Sequence, residues 1–275
     1  MVVHIDKWIS FISGRKPMNY IKRVFYLISL SVLISMLFVS CSDDKEIDTL
    51  SKIEEEGKLR IGTDATYPPF ETVNARTGEI EGFDIDLMNA ICAEMGVEAE
   101  YIVTPFDGII PGLLDHKYDV IISAMTITPQ RAEKVAFTDP YYWASQAIAV
   151  KSDERSIRSK KDLAGKKIGA QLGTTGEIVA KRIPEAEVIS FDNIGAAFID
   201  LENGKIDAII NDKPTTQRII SAKGGAKIVG EPLTSERYGI AVRPEDKKLL
   251  RRINSALAII DVSGNLERLR SKWFK

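Results

Sequence analysis

The 275-residue sequence is poor in the residue types that most often carry catalysis and metals. It has two cysteines and two histidines. Two cysteines cannot build a disulfide framework or a Cys-based zinc site, and two histidines leave little for metal or triad chemistry. A basic excess is also missing: 37 Lys plus Arg stand against 39 Asp plus Glu, a net charge of −2. Nucleic acid is a poor partner for such a chain, because phosphate neutralisation needs a cationic surface. Apolar residues, by contrast, are in ordinary supply at 44%. That is enough for a packed core and argues against disorder.

One long hydrophobic run is present, residues 24–39 (VFYLISLSVLISMLFV), preceded by Lys22-Arg23 and ended by Ser40-Cys41. It is shorter than the roughly 20 residues of a membrane span. A basic start, an apolar centre and a small residue before the boundary predict an export signal over residues 1–40. A Cys directly after Ser40 predicts a lipoprotein signal, with cleavage before Cys41 and lipid on that residue. Phe38-Val39-Ser40-Cys41 resembles a lipobox with Phe where Leu is usual. An uncleaved anchor helix is the competing reading, and Met18 is the expected start of translation. Removal of residues 1–40 takes five bases and one acid from 37 and 39, leaving an acidic chain with 32 bases and 38 acids. Residues 41–57 are polar and acidic and read as a lipid-anchored tether ending in a solvated helical turn.

From residue 58 strand and helix signals alternate, which predicts an α/β fold with largely parallel strands. A strand at 58–62 precedes a helix that Asp84 would cap and Gly96 would close, with Ile85, Met88, Ile91, Cys92 and Met95 on its apolar face. Residues 97–103 alternate as a strand, Asp107 would cap the next helix, and 120–122 read as a buried strand. The second half repeats the grammar, with strands at 167–170, 188–191 and 206–210 and helices starting near 175 and 196. Lys117-Tyr118-Asp119-Val120-Ile121-Ile122 parallels Lys205-Ile206-Asp207-Ala208-Ile209-Ile210, which suggests two similar lobes. The boundary is expected near 147–152. An apolar strand at 238–242 before closing helices 245–262 and 264–273 predicts that the chain returns to the first lobe. Two crossing segments would then form a hinge above a cleft.

In open parallel sheets ligands collect at the carboxyl ends of strands. That rule selects Thr63, Asp64, Tyr67 and Pro68-Pro69-Phe70, then Ser123, Ala124, Thr126 and Arg131. In the second half it selects Gln171, Thr174, Thr175, Asn211 and Asp212. One guanidinium, two carboxylates, several hydroxyls and a ring suit a zwitterion. Arginine clamps a carboxylate through paired hydrogen bonds, free N–H groups at a helix start add to it, and an Asp accepts from an ammonium.

These residues carry a resemblance. Gly82-Phe83-Asp84-Ile85-Asp86-Leu87, Arg60-Ile61-Gly62-Thr63-Asp64 with Tyr67-Pro68-Pro69-Phe70, and Phe106-Asp107-Gly108 resemble the family 3 bacterial extracellular solute-binding proteins. So do Ser123-Ala124-Met125-Thr126 with Arg131, and Gln171-Leu172-Gly173-Thr174-Thr175. These are the polar amino acid receptors of ABC importers. The resemblance covers about residues 58–275. It implies a type II periplasmic-binding-protein fold, with lobe 1 from 58–147 and 236–275 and lobe 2 from 148–235. Each lobe would be a mixed sheet flanked by helices, joined by a two-strand hinge. It also implies that Arg131, with Thr126 and the Thr175 amide, grips an α-carboxylate, and that Asp212 beside Ser123 accepts an α-ammonium. Tyr67 and Phe106 would sandwich the ligand side chain, with Asp64 at its polar end. Ala124, where Ser is common, and Gly176, where Gln can stand, depart from the receptors for basic amino acids. Gln171 and Thr174 complete the expected ligand-binding set.

The implied partners are a free amino acid of the arginine, lysine, histidine or glutamine class, an ABC permease, and membrane lipid through Cys41. The protein would be a monomer without cofactor, exported and facing the periplasm or extracellular space. Simpler roles are expected elsewhere: helix-start placement for Asp84 and Asp86, core packing for Cys92, and packing for Trp143 and Trp273. The competing function is an enzyme on the same fold. Glu177 stands about where the cyclohexadienyl dehydratase branch has a general acid. A ligand sensor acting through a separate partner is the third reading.

Overall fold

The computed structural model describes residues 48–274. The export signal, Met18, Cys41 and the start of the tether lie outside the described residues. Strands and helices are numbered below in chain order. The first described element is α1 (Thr49–Glu56), capped by Asp48, whose carboxylate accepts from the Ser51 N–H. It closes on Gly57 in the left-handed region (φ 67°), where a side chain would strain the backbone. Ile53 is buried and Thr49 donates to Asp246, so this part of the expected tether is a packed helix.

Two five-stranded mixed sheets form the two lobes. In the first, β1 (Lys58–Thr63) runs parallel to β5 (Glu98–Val103) on one side and β6 (Val120–Ile121) on the other; β15 (Ala241–Val242) and β7 (Ala136–Phe137) continue it antiparallel. In the second, β10 (Lys167–Gln171) runs parallel to β11 (Glu187–Phe191) and β12 (Ala208–Asp212). There β9 (Gln146–Lys151) and β13 (Ala226–Val229) continue antiparallel. The helices α2 (Phe83–Met95), α3 (Phe106–Leu114), α8 (Lys247–Val262) and α9 (Asn265–Trp273) belong to lobe 1. Lobe 2 carries α5 (Thr175–Ala180), α6 (Ile194–Glu202) and α7 (Lys213–Lys223). A small sheet of β2 (Thr66–Tyr67), β3 (Glu71–Val73) and β4 (Ile80–Glu81) sits on lobe 1.

The sequence parallel between the lobes has a structural cause. Ile61 pairs with Val120 and Gly62 with Ile121, as Ile168 pairs with Ala208 and Gly169 with Ile209. In each lobe the Asp before the buried strand accepts a backbone N–H from the neighbouring strand, Arg60 to Asp119 at 3.2 Å and Lys167 to Asp207 at 2.8 Å. In each lobe a glycine makes room for the residue before that Asp. A Cβ on Gly62 would lie 2.5 Å from the Tyr118 ring, and one on Gly169 2.5 Å from Ile206 Cδ1.

Three expectations shift. Residues 146–151 are strand β9 inside the second sheet, so the crossing falls earlier, at β8 (Tyr142–Ala144), which pairs antiparallel with β14 (Glu236–Tyr238). The expected strand 238–242 is split at Gly239, where Tyr238 ends the hinge ladder and Ala241 starts β15. Asp84 and Asp107 are not caps. Gly82 and Pro105 precede α2 and α3, and both acids stand in the first turn. Gly96 does close α2, at φ 76°.

Lobe 1 has two apolar layers. Leu249, Ile253, Leu257 and Ile260 of α8 join Leu87, Met88, Ile91 and Cys92 of α2 in the larger cluster. Ile109, Leu113, Tyr118, Ile121 and Met125 fill the other face of the sheet. Burial pushes the Cys92 thiol up to about 12, so it packs as a small apolar group. Trp143, expected to serve in packing, is 60% exposed. It alternates with Tyr142 on the hinge strand, and Tyr142 takes the inward side, stacking on Phe274 at 4.8 Å. Beneath the first sheet Arg243, 1% exposed, pairs with Asp246 at 2.7 Å and donates to the carbonyls of Leu113 and Tyr118.

Candidate functional site

Between the lobes lies a small, tightly closed cavity, lined by Tyr67, Phe106, Ser123, Ala124, Thr126, Arg131, Gln171, Thr174, Thr175 and Asp212. Ten of the eleven ligand-binding residues expected from the sequence thus meet at one place. Each arrives on a strand end or a short helix. Asp64 and Tyr67 follow β1, Ser123 to Thr126 follow β6, Gln171 ends β10 and Asp212 ends β12. Phe106 starts α3, Thr174 caps α5, and Arg131 lies in α4 (Pro129–Ala132), capped by Thr128.

Arg131 is held at three points. Nη1 donates to the Thr126 carbonyl at 2.7 Å, Nη2 donates to the Gly173 carbonyl of lobe 2 at 3.1 Å, and the guanidinium lies 5.1 Å from the centre of the Phe106 ring. Burial lowers its pKa from the ordinary value, while Asp212 and Glu236 act against that shift. Asp212 is buried, and burial, reinforced by Glu236, pushes its carboxyl up to about 7. Its oxygens accept from the Tyr67 hydroxyl at 2.7 Å and from Gln146 Nε2. The Tyr67 hydroxyl lies 2.7 Å from Asn211 Oδ1 as well.

Asp64 is the one expected residue outside the lining. Its Oδ2 accepts from Gln171 Nε2 at 2.7 Å and its Oδ1 from Thr66 Oγ1 at 3.0 Å. Burial raises its pKa, opposed by those two donors. The lobes are therefore joined across the cavity by Asp64 with Gln171, Tyr67 with Asp212, and Arg131 with Gly173. This is a closed arrangement.

Sequence reasoning missed Gln146 and Glu236. Glu236, on hinge strand β14, accepts from Thr126 Oγ1 at 2.6 Å, Thr175 Oγ1 at 2.9 Å and Thr234 Oγ1 at 2.9 Å. It thereby ties one residue of each lobe to the hinge. Glu236 enters on crossing strand β14 and Gln146 starts β9 just after crossing strand β8, and a rule about carboxyl ends of parallel strands does not reach them. Gly176 offers no opening for a side chain. A Cβ there would lie 2.7 Å from the Ile210 carbonyl and 3.0 Å from Gln146 Oε1.

Glu177 does not fit a general acid. Ser190 Oγ donates to it, the Gly173 N–H donates at 3.1 Å, and Lys181 pairs with it at 2.8 Å. Burial acts to raise its pKa, but these partners together hold it below the ordinary value, so it stays ionised at neutral pH.

Fold and cavity define a two-lobed α/β protein with a small polar cavity enclosed between its lobes. The profile of bacterial extracellular solute-binding proteins, family 3, matches residues 59–275, and the chain belongs to that family. It is 40% identical over 223 residues to the ABC transporter arginine-binding protein 1 of Escherichia coli (strain K12), covering 79% of this chain and 90% of that protein. It superposes on holo ArgBP from T. maritima with a TM-score of 0.75 and 42% identity, covering 82% of this chain and 99% of that one. The ancestral amino acid-binding protein AncCDT-1, a precursor of cyclohexadienyl dehydratase, gives 0.78 and 42%, covering 83% and 100%. The curated relatives are binding proteins of transporters, so the enzyme reading is set aside. Among the described residues no helix is long and apolar enough to cross a membrane.

Proposed function

We propose that this chain captures arginine, or a closely similar polar or basic L-amino acid, and delivers it to an ABC permease. In this reading Arg131, with Thr126 and the amides at Thr174-Thr175, takes the α-carboxylate; Asp212, with Ser123, takes the α-ammonium. Tyr67 and Phe106 flank the side chain, and Gln171, held by Asp64, faces its polar end. The observation that carries the reading is the charge at and behind the cavity wall: Arg131 and Asp212 line the cavity, and the buried carboxylates of Asp64 and Glu236 stand behind them, bonded to Gln171, Thr126 and Thr175 of the lining. A ligand with one carboxylate and two cationic groups offsets that imbalance. Relatives named for arginine binding support it.

Ligand drives closure because it contacts both lobes only when they meet. Moving a two-state equilibrium from 1:99 to 99:1 requires about 5.5 kcal/mol of differential binding. Two charge-assisted bonds at each end of a zwitterion can supply it, at roughly 1.5–3 kcal/mol each. The mature protein acts as a monomer, exported and anchored to the membrane by lipid on Cys41. A thermal-shift screen over the twenty amino acids, followed by calorimetry, tests the ligand class. The largest shift is expected with arginine. A response confined to aspartate and glutamate would refute the assignment. Mass spectrometry of the mature N-terminus tests Cys41, and an unmodified Cys41 would refute the anchor.

A further inference from the structure

Lobe 1 contains two carboxyl groups that make no contact with the cavity, yet both lie against its wall. Glu71 opens β3 and Asp84 stands in the first turn of α2, and both are 0% exposed. Among the described residues no Lys or Arg is within ion-pair distance of either. Glu71 Oε1 accepts from the Ser123 hydroxyl at 2.7 Å, and Ser123 in turn accepts from the Asp64 N–H at 3.1 Å. Asp84 Oδ2 accepts from the Ala124 N–H at 2.7 Å and the Tyr141 hydroxyl at 2.8 Å. The remaining oxygens, Glu71 Oε2 and Asp84 Oδ1, have no donor, and the two side chains are neighbours: the Asp84 N–H donates to the carbonyl of Phe70, the residue before Glu71, at 2.9 Å, and the two carboxyls bond the adjacent residues Ser123 and Ala124.

Two ionised carboxylates have no hydrogen to place between them. Each would also be a buried charge without a counter-ion, at a cost of several kcal/mol. One proton removes both difficulties. It turns Glu71 Oε2 into a donor to Asp84 Oδ1 and leaves one anion with three donors. We propose that Glu71 and Asp84 share a single proton at neutral pH, and that this pair is a positioning device holding the Ser123–Ala124 wall of the cavity.

The proton belongs on Glu71. Burial and the neighbouring Asp84 charge raise its carboxyl well above the usual range. Burial raises Asp84 to about 7, with the Ala124 N–H, Tyr141 and Glu71 acting to lower it. The titratable groups facing the pair are Asp64 after β1, Tyr67 on β2, Tyr101 on β5, and Tyr141 and Tyr142 at the hinge strand. All are acids, so none offsets a second negative charge. Ala124 adds a reason for such firm support: its φ is +43°, a left-handed conformation costly for a residue with a Cβ. The bond from its N–H to Asp84 holds it there.

The sign follows from linkage. Both carboxyls bind protons more tightly in the folded chain than in the unfolded one. The stability they contribute is fully present below their unfolded values and is lost as pH rises through the folded ones. Loss of the shared proton sets two anions against each other behind Ser123 and Ala124.

The test uses Glu71→Gln, whose amide donates to Asp84 and cannot lose a proton. In the wild-type protein at pH 7 the infrared spectrum should contain the carbonyl band of a buried protonated carboxyl, and the variant should lack it. Between pH 6 and 9 the wild-type melting temperature should fall more steeply than that of the variant. Over the same range the wild-type Kd for arginine should rise relative to the variant by up to about tenfold per pH unit, the limit for one linked proton. Asp84→Asn is the second variant. It gives Glu71 an amide donor and should also remove the band, with near-ultraviolet circular dichroism confirming the fold.

Absence of the band in the wild-type protein, or equal pH slopes in wild type and Glu71→Gln, would overturn the proposal. Only the Kd measurement rests on the receptor reading. If no amino acid binds at any pH while the band and the melting curves behave as stated, that reading fails and the shared proton stands.

Discussion

Replacing Arg131 with alanine tests the carboxylate subsite most directly. Within lobe 1 the guanidinium is held by the Thr126 carbonyl at 2.7 Å and the Phe106 ring at 5.1 Å, and closure adds the Gly173 carbonyl of lobe 2 at 3.1 Å. Its remaining N–H groups are free to meet a carboxylate, and little side-chain entropy is lost on binding. Two charge-assisted bonds at roughly 1.5–3 kcal/mol each give about 3–6 kcal/mol. The same substitution removes the Arg131–Gly173 tie between the lobes, which adds to the loss in the closed state. At 1.4 kcal/mol per decade, Kd should rise by about 10²–10⁴-fold in titration calorimetry. Arg131→Lys keeps the charge but loses the fork and should fall between the two. Circular dichroism and melting temperature should stay close to wild type, because the side chain is only half-buried. A Kd within about threefold of wild type, with the fold intact, would show that Arg131 does not hold the carboxylate.

Asp212 gives an opposite pH limb to that of the Glu71–Asp84 pair. Burial lifts its carboxyl to about 7, and an ammonium ligand requires the ionised form. Affinity should therefore fall as pH drops below 7, by up to about tenfold per unit, with calorimetric proton release; Asp212→Asn should bind weakly and without that slope. Removal of Arg243 leaves Asp246 buried without its 2.7 Å partner. Arg243→Ala should thus cost about 3–5 kcal/mol in urea unfolding, and a loss below about 1 kcal/mol would contradict the ion-pair account. Gly62→Ala and Gly169→Ala drive a Cβ to 2.5 Å from Tyr118 and Ile206. Each should destabilise by about 1–3 kcal/mol through overpacking, and a neutral result at either would show that the neighbour can move aside.

What could be read from the sequence was governed by whether a position has a local signature. The strand-end rule reached nine of the ten residues that line the cavity, because parallel strands present their last residues at a common edge; the tenth, Phe106, was reached only through the family resemblance. The Lys-x-Asp-x-Ile-Ile parallel between the lobes was legible because one steric and hydrogen-bonding solution occurs twice. Asp84 was misread because a carboxylate in a first helical turn has an obvious local purpose. Its actual partners, Ala124 and Tyr141, are 40 and 57 residues away. Gln146 and Glu236 were hidden for a related reason, since their roles come from the crossing of two segments 90 residues apart. Trp143 shows the limit of composition: a large ring is usually packed, but alternation on β8 turns it outward.

The two crossing strands also bear on how the chain folds. Every strand of the second sheet lies between β8 and β14 in sequence, so lobe 2 is contiguous. Lobe 1 is not: its larger apolar layer needs Leu249, Ile253 and Leu257 of α8 against the much earlier α2. A chain emerging from its N-terminal end can therefore complete lobe 2 while the α2 surface still waits for its cover. The contacts that close lobe 1 span most of the described chain, and they are the entropically costly ones.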